Sequence, residues 1–459
     1  DPLLLVAALA VSSVVGRVDH RGQPAHLKQR CKLRRSGARL SNVKDSSVAE
    51  GFAPLFRSVL GGSLPFAVRF WDGSEIGPPD APAAIEVRSP QALRRVLYTP
   101  GELGFARAYV LGEIEIDGDL EECLRLVMTA NPDIRIEPGA WLRAVAAAAR
   151  AGVVGRPLPA PQEEVKLRGN RHSQARDAAA VAHHYDVSNH FYEIALGPSM
   201  TYSCARFQHA GASLEEAQGS KHEHVARKLG LEPRMRLLDV GCGWGGMAIH
   251  AATHHGVSVT GITLSRPQWE MARKRVAEAG VEHLVEIRVQ DYRELAGEQF
   301  EAVSSIGMFE HVGHSHRDEY FRVLAGVLCP QGRLLNHAIS TPGGAIDKRT
   351  FAARYVFPDG ELQDVADAVL GAEAAGLEVR DVESLREHYA MTLGRWVANV
   401  EEQWPRVVEI IGEARARVWR LHMTGSKISF ERGLISVHQL LAVKAGPDGE
   451  SGMPLTRPV

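Results

Sequence analysis

Charge imbalance, paired cysteines and long apolar runs are all missing from this chain of 459 residues. A formal net charge of -2 gives no overall pull toward nucleic acid or an anionic membrane, so any such attraction must be local. The five cysteines (Cys31, Cys123, Cys204, Cys242, Cys329) are odd in number and scattered. None belongs to a CxxC pair or to a Cys/His group with zinc spacing, so no metal is expected and a reducing cytoplasm is the simpler compartment. The apolar run Leu3 to Val15 is shorter than the roughly 20 residues a membrane-crossing helix needs. No basic segment precedes it as in a signal peptide. With 45% apolar and 24% charged residues, the rest has a globular composition, and the length favours two domains or more.

The pattern along the chain divides it. Residues 1–47 are expected to be a disordered extension, with a basic stretch (Lys28, Arg30, Lys32, Arg34, Arg35, Arg39) able to touch lipid headgroups. Residues 48–150 read as a small α+β module. Ala67 to Trp71 is a strand running into a turn at Asp72-Gly73, and Ala84 to Val87 is another strand. Helices are expected from Ser89-Pro90 through Leu97 and from Leu120 to Met128. Residues 151–177 hold three prolines in five positions (Pro157, Pro159, Pro161) and then Lys166, Arg168, Arg171 and Arg176, the composition of an extended basic linker. From 178 to 445 strands alternate with helices: Arg236–Val240, Val257–Ile262, Phe300–Ser305 and Arg333–Ala338 read as strands, and Gln268–Glu278 as a helix. That alternation predicts an α/β domain, a parallel sheet with helices on both faces. Residues 446–459 form a tail.

The strongest local signal is Leu237-Leu238-Asp239-Val240-Gly241-Cys242-Gly243-Trp244-Gly245-Gly246. A buried strand enters a glycine-rich turn and leaves as a helix near Met247. Glycine at 241, 243 and 245 lets the backbone turn tightly and approach a ligand where a Cβ would not fit. A dinucleotide site has the same outline, but it carries an acid at the end of the next strand. Here that strand ends in Thr263-Leu264-Ser265. Asp239, inside the strand end that precedes the glycines, resembles the first motif of class I methyltransferases, where the acid orders the loop around the amino-acid part of S-adenosylmethionine.

Three further segments are His184-Tyr185-Asp186-Val187-Ser188-Asn189 continuing to Met200-Thr201-Tyr202-Ser203-Cys204, then Gly307-Met308-Phe309-Glu310-His311-Val312-Gly313, then Leu334-Leu335-Asn336-His337-Ala338-Ile339. Taken with the glycine loop, their order and spacing resemble the cyclopropane-fatty-acyl-phospholipid and mycolic-acid cyclopropane synthases. The likeness is close over about 178–444 and looser over 48–150. It implies a class I, Rossmann-like methyltransferase domain preceded by a smaller α+β domain. The implied cofactor is S-adenosylmethionine, contacted by Tyr202 and Ser203, by Asp239 and the glycines, by Thr263, Leu264, Ser265 and Gln268, and by Gln290, Asp291 and Tyr292.

The resemblance also implies the chemistry. Methyl transfer to an alkene leaves a carbocation, and loss of a proton from the new methyl group closes a cyclopropane ring. The implied base is bicarbonate held by Cys204, Glu310, His337 and Tyr389, with the backbone at Ile339 nearby. Taken singly, Cys204 reads equally as an inert buried thiol, His337 as a satisfied core histidine and Tyr389 as packing. Glu310 needs a partner, and His311 is either that partner or only a neighbour. The sequence departs from the family at Ser426, where members commonly carry cysteine. Gly307 leans toward the cyclopropane type, because branch-forming relatives tend to carry an acid there. The implied substrate is unsaturated phospholipid, reached by peripheral contact with the inner face of the membrane through the 48–150 module, with no nucleic acid and a homodimer left open. The alternatives are a fatty-acyl methyltransferase making a methyl or methylene branch and a non-catalytic lipid-binding protein.

Overall fold

The computed structural model describes residues 47–456 apart from 60–63, 100, 130–137, 168, 186, 296 and 343–349. The extension expected over 1–47 therefore lies outside the described residues except for Ser47, as do Arg168 and Asp186. The chain forms two compact units, one ending at Pro161 and one beginning at Gln162.

The first unit carries a four-stranded sheet in the order β2-β1-β3-β4. The strands are β1 (Ala67–Phe70), β2 (Glu75–Ile76), β3 (Ala83–Val87) and β4 (Ile114–Gly118). The turn at Asp72-Gly73 folds β2 back antiparallel to β1, while β3 lies parallel to β1. Alternation buries Val68, Phe70, Ile85 and Val87. The helix Pro90–Tyr98 begins with proline, whose fixed φ suits the first turn.

The stretch read as a linker is divided between the units. Arg94 Nε donates to the Val153 carbonyl at 2.8 Å and Arg95 Nη1 to the Pro159 carbonyl at 2.7 Å, fastening 151–161 to the first unit. Beyond Pro161, Arg171 Nη1 pairs with Glu361 at 2.6 Å and Arg176 with Asp359. Composition alone could not show these partners, because guanidinium groups that look free in sequence are claimed by distant carbonyls and carboxylates.

The second unit is built on a seven-stranded sheet, β10-β11-β9-β8-β5-β6-β7. Its strands are β5 (Arg236–Val240), β6 (Ser258–Thr263), β7 (Val285–Val289), β8 (Phe300–Ile306), β9 (Leu328–Ser340), β10 (Glu378–Ser384) and β11 (Ser436–Val443). The pairs β5/β6, β6/β7, β5/β8 and β8/β9 are parallel, whereas β11 runs antiparallel between β9 and β10. The expected parallel sheet is present in these four pairs, with β10 and the antiparallel β11 added at one side. Strand order reverses between β5 and β8, which opens a crevice at the carboxyl ends of the strands. Asp239 faces Ser304 across that switch point.

The helices Gly246–His255 and Arg266–Glu278 follow β5 and β6. In front of β5, the helix Leu214–Leu229 starts with a reciprocal cap between Ser213 and Glu216 and ends at Gly230 in the left-handed conformation. Two long helices near the carboxyl end, Arg386–Glu402 and Glu413–Glu431, carry Tyr389, Trp396, Ser426 and Phe430. Tyr389 packs on Phe430 with ring centroids 4.6 Å apart. No helix among the described residues is long and apolar enough to cross a membrane.

Candidate active site

A cavity lies at the carboxyl ends of β5, β6 and β8. Tyr202, Ser203, Asp239, Gly241, Gly243, Thr263, Leu264, Gln268, Gln290, Asp291 and Tyr292 all line it. Two expected contacts do not. Gly245 caps the helix Gly246–His255 at φ +81° and packs toward Ala272, while Ser265 accepts from the Gln268 backbone N–H at 3.2 Å as the cap of the next helix. Both shape the loop from behind the wall.

Polar atoms around the cavity are positioned in advance. Ser304 Oγ donates to one Asp239 oxygen at 2.7 Å, and the other oxygen is without a partner among the described residues. Burial pushes the Asp239 carboxyl up to about 6. Thr263 Oγ1 donates to Gln268 Oε1 at 2.9 Å. Gly243 sits at φ +54°, and a Cβ there would meet only Gln268 Nε2, at 4.0 Å, so it would project into the cavity.

Several residues in this wall escaped the sequence reading. Gln218 Nε2 donates to the Ser203 carbonyl at 2.9 Å, and Lys221 Nζ donates to Ser203 Oγ at 3.1 Å. His222 also lines the cavity. Burial holds the Lys221 ammonium down to about 8. The signal was present, because polar residues at 218, 221 and 222 recur at helical spacing on one face.

A second, larger cavity shares Tyr185, Tyr202, Ser203 and Gly307 with the first. Its inner wall is apolar and aromatic, with Leu393, Trp396, Phe430 and Val437, and Ser426 lies on it. Lys166 is exposed on its rim and Arg354 is half-exposed there. Gly307, at φ +70° with open space where a Cβ would stand, lines both cavities.

Cys204, Glu310, His337, Ile339 and Tyr389, far apart in sequence, all line this second cavity. The Ile339 N–H donates to Glu310 Oε1 at 2.8 Å. Glu310 Oε2 has no partner among the described residues, and burial raises the carboxyl to about 7. The partner of Glu310 is thus the backbone of β9. His311 instead lines the cofactor cavity, where burial holds its imidazole down to about 4.

His337 Nδ1 lies 3.2 Å from Gln439 Nε2 on β11, while Nε2 is without a partner among the described residues. With the amide donating, Nδ1 accepts and the ring proton sits on Nε2. Burial holds this imidazole down to about 3, so it is neutral at physiological pH. Tyr389 is pushed well above the ordinary phenol value by burial and stays protonated. The Cys204 thiol, raised by burial, lies 3.2 Å from the Ala205 carbonyl and 3.7 Å from that of Leu385, so its donor is engaged by backbone.

A Rossmann-like sheet whose glycine loop borders one cavity, with an apolar cavity sharing Gly307 beside it, defines a class I S-adenosylmethionine-dependent methyltransferase. The model of the family described as mycolic acid cyclopropane synthetase matches residues 172–440, and the chain belongs to that family. It is 43% identical to a "Probable fatty acid methyltransferase Rv3720" of Mycobacterium tuberculosis, over 86% of this chain and 94% of the relative. Against the cyclopropane-fatty-acyl-phospholipid synthase of Escherichia coli K12 it is 32% identical, covering 80% and 90%. The solved structure of mycolic acid cyclopropane synthase CmaA1 of the same family, complexed with SAH and CTAB, aligns with a TM-score of 0.55 at 32% identity. That alignment covers 58% of this chain and 97% of the solved one.

Proposed function

We propose that this enzyme adds a one-carbon unit across the cis double bond of an unsaturated phospholipid acyl chain, closing a cyclopropane ring, with bicarbonate as the base. The observation that carries the reading is the pair of unpartnered polar atoms, Glu310 Oε2 and His337 Nε2, in an apolar cavity that shares a wall with the cofactor site. Buried polar atoms without partners are costly, and their persistence marks a place for a polar guest.

S-adenosylmethionine, when bound, supplies an electrophilic methyl group on a sulfonium. Asp239, Gln268 and the loop around Gly243 suit its polar parts. The rings of Tyr185 and Tyr202 line both cavities and that of Trp396 the second, with Tyr202 and Trp396 stacked at 5.1 Å. Their faces favour positive charge and exclude water from it. Bicarbonate, when bound, supplies an oxygen that takes the proton from the new methyl group, whose C–H electrons close the ring. His337 Nε2–H and the Tyr389 O–H donate toward such an anion, and Glu310 Oε2 accepts its O–H. The Ile339 N–H is already spent on Glu310, so its part is to fix the carboxyl.

Phospholipid as substrate rests on the basic rim, Lys166 and Arg354, at the end of an apolar cavity, an arrangement suited to an acyl chain with an anionic head. It implies peripheral contact with the inner face of the membrane. The second reading, a methyl or methylene branch, is favoured by the name of the 43%-identical relative. Product analysis tests both: with cis-monounsaturated phospholipid vesicles, the proposal expects upfield cyclopropane proton resonances and a rate that falls in carbonate-stripped buffer and recovers on its return. Vinylic or simple methyl-branch signals in their place sink the cyclopropane reading. A rate indifferent to carbonate removes bicarbonate.

A further inference from the structure

Outside both cavities, a compact group of metal-ligating atoms joins two helices of the second unit. Glu223 projects from Leu214–Leu229, and His250 and His255 from Gly246–His255. Glu223 Oε2 lies 3.3 Å from His250 Nε2 and 3.0 Å from His255 Nε2. All three potential ligand atoms fall within 4.8 Å of one another. Ligands about 2.1 Å from a tetrahedral zinc ion stand roughly 3.4 Å apart, so little movement separates this arrangement from a coordinated one.

We infer that Glu223, His250 and His255 form a binding site for a borderline divalent transition-metal cation, Zn²⁺ foremost, with water completing the tetrahedron. Imidazole and carboxylate donors suit that class of ion better than Mg²⁺ or Ca²⁺. Arg227 Nε donates to the other Glu223 oxygen at 2.7 Å, leaving Oε2 turned toward the imidazoles. The three side chains are half-buried, with exposures of 33%, 14% and 18%, so an ion can reach them and a water can stay. Zinc spacing was missed in the sequence because Glu223 stands 27 residues before His250.

The position gives the ion a consequence. The same two helices line the cofactor cavity through Lys221, His222, Gly246 and Met247. A cation bridging Glu223 to the imidazoles clamps those walls together on their outer side. The direct hydrogen bonds are complete without an ion, so the experiment must separate a hydrogen-bonded cluster from a metal site.

Full-length protein without an affinity tag, stripped of metal, is titrated with Zn²⁺ against a chromophoric chelator and separately with Co²⁺. One equivalent of Zn²⁺ per chain is expected, with the visible absorption of tetrahedral Co²⁺. Glu223→Gln and His255→Ala lose both signals, while His254→Ala, whose ring stands 4.5 Å from His250 without offering a ligand to the set, keeps them. Arg227→Ala, which frees the carboxylate to turn, weakens binding about tenfold. Circular dichroism of each variant at the temperature of titration confirms folding, and His255→Gln replaces His255→Ala if that variant unfolds. Absence of stoichiometric binding, or binding unchanged in Glu223→Gln, overturns the site.

Discussion

The Glu310 carboxyl is held by the backbone of Ile339, 2.8 Å away, and so points its unpartnered oxygen into the apolar cavity. The acid comes from the turn after β8 and its anchor from β9, so the parallel pairing of those strands sets the distance. Gln439 acts in the same way on His337 from the antiparallel strand β11.

Glu310→Gln is expected to cut turnover by at least about a hundredfold, the usual weight of a proton-transfer group, with cofactor affinity nearly unchanged. A companion effect appears in stability. The folded carboxyl is raised from 4.5 to about 7, so its contribution is fully present below about 4.5 and is lost as pH rises through 7. The glutamine variant does not titrate. Its stability relative to the parent should therefore improve by about 3 kcal/mol between pH 4.5 and 8, since each pH unit between the unfolded and folded values is worth roughly 1.4 kcal/mol. Chemical denaturation of both proteins at several pH values checks this. Unchanged turnover removes Glu310 from the mechanism.

Gly243→Ala places a methyl group in the cofactor cavity at φ +54°. Cofactor affinity should fall at least about tenfold, with a stability cost of roughly 1–2 kcal/mol for the left-handed backbone. Gly280→Ala is the control: its φ of +70° and open surroundings give the same strain away from the cavity. Calorimetric titration should show normal affinity there. Equal loss in both variants would mean that strain, not the ligand, explains the effect.

The cofactor loop was legible in sequence because its parts are contiguous: an apolar strand, an acid and closely spaced glycines make one local structure. The strands β5 and β8 were legible as buried apolar runs. Strands β7 and β10 were not, since Val-Glu-Ile-Arg-Val alternates charge with apolar residues and Glu-Val-Arg-Asp-Val-Glu-Ser is charged at four of seven positions, as the sheet's two edges allow. The antiparallel direction of β11 is decided by its partners. Among site residues, the resemblance supplied Cys204, His337 and Tyr389, whose chemistry singly is that of ordinary core residues. Gln439 and Lys221 were missed because each acts through a side chain or backbone distant in sequence.

Lys166→Ala combined with Arg354→Ala should slow the reaction several-fold on vesicles of anionic phospholipid and far less on substrate dispersed in neutral detergent. Lys166 is exposed on the cavity rim, and the half-exposed Arg354 guanidinium stands 3.7 Å from Glu164 Oε1. Each basic group near an anionic surface contributes about 1 kcal/mol to attraction, a contribution that salt screens. The parent's vesicle rate should therefore drop with ionic strength more steeply than the variant's. Identical salt dependence would place lipid contact elsewhere.

The family match begins at residue 172, so the four-stranded unit ending at Pro161 lies outside it. The solved relative aligns over 97% of its own chain with only 58% of this one, which shows that the methyltransferase fold is complete without such a unit. A protein comprising Gln162–Val459 should therefore fold and bind S-adenosylmethionine with the affinity of the full chain. All the residues of both cavities are in that part, so the chemistry itself should survive on detergent-dispersed substrate. The expected lipid-access role of the first unit predicts that most of the turnover is lost on vesicles, because an acyl chain must first leave the bilayer. The two assays separate the outcomes. Loss on both substrates would make the first unit necessary to the catalytic fold, and a full rate on vesicles would end its assignment to lipid access.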